Sequence, residues 1–232
     1  MKQLLRNNPK LPLIGILLVA LGLGVQSCLE QEESPLERQA RKDDIQIRTY
    51  LHENQITAIP TNAGIYYEIL KENPAGKTVG AESLVSIYYK VSLLDGQVVD
   101  SLLAGQGSAL RFEHSTGSLI PQGLNLGVGL MKQGEQFRFY IPSRYAYGTY
   151  THEDFFPANA ILIIEAEVVA VETWQDQQQR DRDTLQAFLT RNELSGETQG
   201  FNSGLIYRRI LEGSGNKPAN GQRVSIHYTR NT

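Results

Sequence analysis

The sequence predicts an α+β fold, an antiparallel β-sheet against one short α-helix, and three observations predict it. Short β-branched and aromatic runs separated by turn residues occupy residues 61–172, the clearest being Ile65 to Leu70, Leu84 to Leu94, Gln136 to Ile141 and Ala160 to Val171. Asp95-Gly96 lies beyond one of these runs and is a hairpin signal, because both turn positions tolerate positive φ. Within the span one segment, Gly123 to Lys132, has helical spacing, with Leu124, Val128 and Met131 on one face. About five antiparallel strands and one short helix make an α+β arrangement.

The remaining elements follow from the N-terminus. Lys2, Arg6 and Lys10 lead into an apolar stretch from Leu11 to Val25, the n-region and h-region of a secretory signal over residues 1–27. It closes on Gly24-Val25-Gln26-Ser27-Cys28, which resembles the lipobox of bacterial lipoproteins, with Gln26 a less usual residue there. Cys28 is the only cysteine, so an intramolecular disulfide is excluded, and lipidation gives the lone thiol a role. The other reading of residues 11–29 is a membrane-spanning helix, for which their glycines, Pro12 and Gln26 are poorly suited. Leu29 stands where an aspartate favours inner-membrane retention in many lipoproteins, so the expected address is the outer membrane, facing the periplasm. Glu30-Gln31-Glu32-Glu33 reads as a solvated tether, with a loose likeness to surface-export tags.

Residues 28–41 are polar and form the tether. A leading helix is expected in 42–60, from Asp43 to Ile56, with Ile47, Tyr50 and Leu51 at helical spacing. The main domain spans 61–172, and a polar linker helix, Trp174 to Leu194, fills most of 173–198. Residues 199–232 open a second copy. Asn62, Gly64, Ile65, Tyr67 and Leu70 recur 140 positions later as Asn202, Gly204, Leu205, Tyr207 and Ile210. Val85-Ser86-Ile87 with Tyr89 recurs 139 later as Val224-Ser225-Ile226 with Tyr228, and Tyr50-Leu51 with Asn54 recurs 138 later as Phe188-Leu189 with Asn192. Only four residues follow Tyr228, so the second copy is expected to be incomplete and its tail loosely ordered or packed on the first domain.

Composition narrows the function. A 41% hydrophobic content suits one good core with a smaller unit beside it. The formal net charge is −3, and −6 once the cationic first 27 residues are set aside, which argues against nucleic acid as a partner. His52, His114, His152 and His227 are scattered, and His152-Glu153-Asp154 reads as solvated loop, so no metal is expected. No nucleophile-elbow or phosphate-binding glycine motif occurs, and no cofactor is implied.

The most specific signal is a series of motifs in order: Val85-Ser86-Ile87-Tyr88-Tyr89, Asp95-Gly96 with Asp100-Ser101, Leu119-Ile120-Pro121 before Gly123, Gly134-Glu135, Ile141-Pro142, Tyr145-Ala146-Tyr147-Gly148, and Phe156-Pro157 with Asn159-Ala160 leading into Ile161 to Val168. Together they resemble the FKBP-type peptidyl-prolyl cis-trans isomerases over residues 61–172. The resemblance implies an antiparallel sheet wrapped around a short α-helix, an FKBP-like fold that here follows a signal and lipobox and precedes an incomplete second FKBP-like repeat. It also implies proline-containing polypeptides as substrates. The lipid-anchored form resembles isomerase lipoproteins of Bacteroidetes, some of them associated with gliding motility.

Site residues carry over by position. The resemblance implies that Tyr147 offers its hydroxyl and Ile120 its backbone N–H to substrate carbonyls flanking the proline. Asp100 becomes a partly buried carboxylate near the twisting carbonyl, supported by Tyr89, and Phe156 becomes apolar wall. Taken singly, Tyr147 reads as a turn aromatic, Asp100 as a strand-end cap and Phe156 as core. The sequence departs from the family at Val99, Leu110, Leu124 and Ile164, each aliphatic where the family has an aromatic, and Gln122 is inserted after Pro121. The pocket stays apolar but loses flat aromatic surface, which lowers the affinity expected for proline. Tyr150 and Phe155 stand in a loop where family members differ in substrate contact. The expected function is isomerase activity aiding the folding of exported proteins; the alternative is an FKBP-like chaperone or interaction module of the envelope.

Overall fold

In the computed structural model, which describes residues 33–194, 198–201 and 203–230, the first helix starts earlier than the sequence suggests. The signal segment, Cys28 and the tether up to residue 32 lie outside the described residues. Helix α1 runs Pro35–Glu53, so the tether expected over 28–41 gives way to helix at Pro35. The cause is local. Pro35 sits in the first turn, where a missing N–H costs nothing, while Ser34 Oγ accepts from the Glu37 N–H at 3.2 Å and the Glu37 carboxylate accepts from the Ser34 N–H at 2.8 Å. The helix ends at Glu53 rather than Ile56, because Gln55 takes a positive φ of 55° and the N–H groups of Ile56 and Gln55 bond back to the Leu51 and His52 carbonyls.

The sheet has seven strands rather than about five: β1 Ile59–Pro60, β2 Tyr66–Lys71, β3 Leu84–Leu93, β4 Val98–Leu102, β5 Leu110–Glu113, β6 Gln136–Ile141 and β7 Leu162–Glu172. All pairings are antiparallel, in the order β1-β2-β6-β7-β3-β4. β5 pairs with Leu84–Ile87 and β4 with Tyr89–Ser92, so two short strands share one edge of β3. Short edge strands give weak periodicity, which is why β1, β4 and β5 do not stand out in the sequence. Gly96, at φ +92, turns β3 into β4 as the Asp95-Gly96 signal requires.

Both faces of the sheet are covered. Phe137, Phe139 and Ile141 of β6 and Leu162, Ile164, Ala166 and Val168 of β7 face one side, against Leu124 and Val128 of α2 (Gln122–Val128) and Met131 just beyond it. Tyr140, Ile161 and Ile163 face the other side, with Tyr66, against Ile47 and Leu51 of α1. This explains the near-continuous apolar run from Ala160 to Val168, which a one-sided sheet would not need. Ile47 is fully buried and Leu51 nearly so, each stabilising the packing by about 1.5–3 kcal/mol. On the opposite face α2 lies very close to β6. A Cβ on Gly127 would stand 2.7 Å from the Phe139 ring and one on Gly123 2.3 Å from Ile141 Cγ2, so only glycine allows this approach.

After β7, Thr173 and Asp176 form a second capping box and α3 spans Trp174–Arg191. The hairpin of β8 (Thr198–Gly200) and β9 (Ile206–Arg208) pairs Gln199 with Tyr207 and Gly200 with Ile206, the register of Ile59 with Tyr67 and Pro60 with Tyr66 moved by 140 positions. Its turn repeats as well: Phe201 N–H donates to Leu205 O as Thr61 N–H does to Ile65 O. Val224 to Tyr228, the expected counterpart of β3, forms no strand among the described residues, and its apolar side chains are exposed. No helix of the described residues is long and apolar enough to cross a membrane.

Candidate active site

The candidate residues come from β3, β4, β5, α2 and β7 and from the loops around them, and most of them pack on the core at the α2 side of the sheet. Tyr89 leaves β3 between Ile87 and Val91, both core residues, and is half-buried against the same core. β4 supplies two adjacent residues to one side. Asp100 pairs with Val91 but Val98 with Ser92, leaving Val99 as the extra residue of a β-bulge; Val99 packs on the core while Asp100 keeps the face of Val91. Tyr89 then donates its hydroxyl to Asp100 Oδ2 at 2.9 Å.

Tyr147 follows the 3-10 turn Ser143–Tyr145, and its ring stacks on Phe156 with centroids 4.4 Å apart and planes 12° from parallel. Tyr150 approaches Phe156 at 6.0 Å, tilted by 56°, and His152 packs on Phe155 at 4.6 Å. Leu124 and Ile164 are buried beneath, Leu110 half-buried beside them. Leu119 packs on the core, and the next residue, Ile120, is 77% exposed. Among the described residues no group accepts the Ile120 N–H, so it is free to donate at the rim.

One expectation is corrected: Asp100 is exposed, not partly buried. It lies on β4, at the end of the sheet, where no strand covers its outer flank. Two residues the sequence reading missed prove central to the turn that carries Tyr147, namely Asp43 and Ser143, both buried. The signal for Asp43 was available: four residues before Ile47, it lies on the apolar face of α1. A depression of about 150 Å³ lies along β3 among Tyr88, Tyr89, Lys90, Leu103, Glu165 and Glu167, and Tyr89 is the one candidate residue that lines it.

The electrostatics tie the three polar groups together. Burial first, and then the bond to Asp100, push the Tyr89 phenol up to about 12 from 10. Burial, helped by the charge of Asp100, also raises Tyr147. Folding therefore favours the neutral Tyr89 phenol, whose contribution to stability is whole below pH 10 and is lost as pH rises toward about 12. The expected result is that the urea midpoint advantage of wild type over Tyr89→Phe narrows across this window. The other raised phenols, Tyr66, Tyr140 and Tyr147, are common to both proteins and cancel. An advantage that holds constant to pH 12 would contradict the assignment.

These residues, in this order on an antiparallel sheet around a short helix, are those of one protein class. The chain belongs to the FKBP-type peptidyl-prolyl cis-trans isomerase family, whose model matches residues 76–169. It is 35% identical over 97 residues to FK506-binding protein 1 of Candida glabrata, covering 41% of this chain and 83% of that one. It is 34% identical over 112 residues to the FKBP-type peptidyl-prolyl cis-trans isomerase FkpA of Aeromonas hydrophila, covering 48% of this chain and 40% of that protein. A probable FkpA of Neisseria meningitidis serogroup B is 32% identical over 142 residues, 61% of this chain. The chain thus spans less than half the length of these two longer relatives, 40% and 46%.

Proposed function

We propose that this protein is a peptidyl-prolyl cis-trans isomerase that acts on proline-containing segments of exported polypeptides while held at the cell envelope by a lipid on Cys28. The carrying observation is that the Tyr89–Asp100 hydrogen bond and the Tyr147–Phe156 stack stand close enough for the Asp100 charge to act on Tyr147, with all three rings packed on the core that holds Leu124 and Ile164. The reaction needs no nucleophile. Turning an X-Pro bond removes amide resonance across a barrier of about 18–20 kcal/mol, and a surface that binds the twisted amide better than either planar isomer lowers it. In this reading Phe156, Val99, Leu110, Leu124 and Ile164 receive the prolyl ring. The Tyr147 hydroxyl and the Ile120 N–H hold the carbonyls on either side, and Asp100, steadied by Tyr89, faces the turning carbonyl from the cleft mouth.

A second reading, a chaperone or interaction module with little catalysis, draws support from the aliphatic Val99, Leu124 and Ile164 and from the apolar rim of Ile120, Tyr150 and Phe155, all exposed. Full-length wild type and Tyr147→Phe, compared in a protease-coupled prolyl-peptide assay and in suppression of aggregation, separate the two. The isomerase reading expects wild type to accelerate isomerisation and the variant to lose several-fold; a folded wild type without acceleration leaves only the second. The anchor rests on the Val25 to Cys28 pattern and the absence of a second cysteine. The family likeness to bacterial FkpA proteins supports an envelope address, and the finer one is an outer-membrane lipoprotein facing the periplasm, of the Bacteroidetes kind. Metabolic labelling with a palmitate analogue is expected for wild type and lost in Cys28→Ala. Equal labelling removes the anchor and leaves the isomerase reading intact.

A further inference from the structure

We infer that Asp43 is a positioning residue for the cleft: α1, which lies before the segment matched by the family model, fixes the turn that carries Tyr147 by docking Asp43 onto Ser143. The inference rests on the isomerase reading above. Asp43 is fully buried on the far side of the sheet from α2, in contact with a residue 100 positions away. Its Oδ2 accepts both the backbone N–H of Ser143 at 2.8 Å and the Ser143 hydroxyl at 2.6 Å, and its Oδ1 accepts from Gln39 Nε2 at 2.7 Å. A buried carboxylate is tolerated only when its oxygens are satisfied in this way, so the geometry is demanding.

Ser143 passes that constraint on. Its carbonyl accepts the N–H of Ala146 at 3.0 Å and of Gly148 at 2.9 Å, the residues on either side of Tyr147. Tyr147 is therefore bracketed by two bonds to one residue, and that residue is held by Asp43. A second link runs parallel, since Arg144 donates to the Ala63 carbonyl and lies over the Tyr145 ring. Its partners are outside α1, so it does not replace Asp43.

An independent observation comes from α3. The Gln39–Asp43 pair recurs there 138 positions later as Gln177–Asp181, with Gln177 Nε2 donating to Asp181 Oδ1 at 2.6 Å. Asp181 is exposed, and no turn like that of Ser143 packs on it among the described residues. The pair thus forms within the helix itself, and leaves the second carboxylate oxygen to accept from a turn, as Asp43 Oδ2 does from Ser143. Asp181 also provides the control, having the same helical setting and no part in the Tyr147 turn.

The test uses full-length protein and two readouts, amide hydrogen exchange at residues 143–148 and kcat/KM in the prolyl-peptide assay. In Asp43→Ala the Ala146 and Gly148 amides are expected to exchange at least about ten-fold faster while Ala166 in β7 keeps its rate, and kcat/KM falls about ten-fold, as a small misplacement of one group can cause. Asp43→Asn keeps an acceptor oxygen and is expected within about three-fold of wild type. Ser143→Ala, milder and safe for folding, shifts both readouts in the same direction, and Asp43→Ala with Ser143→Ala loses no more than Asp43→Ala alone. Asp181→Ala changes neither. Unchanged exchange at the turn in both single variants overturns the inference, as does faster exchange with unaltered kcat/KM. An inactive, folded wild type overturns the isomerase reading as well, whereas an active wild type with indifferent variants overturns this inference alone.

Discussion

Phe156→Ala is expected to lower kcat/KM for prolyl-peptide isomerisation about 30-fold, because a half-buried ring and its stack together contribute about 2 kcal/mol to binding the twisted proline. The ring is where the apolar surface of the cleft is concentrated. Val99, Leu124 and Ile164 offer aliphatic groups only, and Leu110 adds one more, so the flat surface left in the cleft belongs to Tyr89, Tyr147 and Phe156. Phe156 is the one of these without a hydroxyl, and it holds Tyr147 by face-to-face contact at 4.4 Å. On the proposed reading, truncating it removes the wall and frees the phenol that holds a substrate carbonyl. The fold should survive, because Phe156 lies outside the sheet in a loop closed by its own bonds, His152 N–H to Phe156 O at 2.9 Å and Thr151 Oγ to the same carbonyl at 3.1 Å. Far-UV circular dichroism and a urea midpoint near that of wild type establish folding. A folded variant with kcat/KM within two-fold of wild type would place the proline elsewhere.

The sheet was legible where burial imposed a pattern, and hidden where it did not. Gln136 to Ile141 alternates between two buried faces and its bounds coincide with β6, because every residue there answers to a fixed neighbour. β4 was recognisable only by its turn. Its Val99 bulge, which sets the direction of Asp100, depends on pairing with β3 and leaves no trace in local composition. The exposure of Asp100 is likewise a property of strand order. The start of α1 is written plainly in Ser34, Pro35 and Glu37, a capping box that the polarity of residues 28–41 hides within a tether. Its docking was half visible. Asp43 stands on the apolar face with Ile47, but that its partner is Ser143, rather than water, follows only from the fold bringing the two together. The internal repeat was the reverse case, with sequence likeness at an offset of 140 matched by two backbone bonds in the β8–β9 turn, whereas Val224 to Tyr228, which resembles β3 in sequence, forms no strand.

Phe139→Ala is expected to produce the largest loss of stability in the molecule, about 3–5 kcal/mol, seen as a drop in urea midpoint at constant slope. The ring is fully buried in the middle of β6, 5.8 Å from Phe137 and 6.4 Å from Tyr67, and it is also the surface on which α2 rests through Gly127. Emptying the site leaves a cavity between helix and sheet that neither can close, since Ile164 of β7 and Tyr67 of β2 flank it as the cross-strand partners of Phe139. The same contact can be tested from the other side. Gly127→Ala gains about 1 kcal/mol of helix propensity, yet sets its methyl 2.7 Å from a ring that has no free direction, an overpacking worth about 1–3 kcal/mol, so a net loss is expected. Shortening the ring to leucine makes room for that methyl. Gly127→Ala combined with Phe139→Leu should therefore lose less than the sum of the two, by at least about 0.5 kcal/mol. Strict additivity would mean that α2 and β6 are not in the contact that seats Leu124 at the cleft floor, and the floor itself would need another support.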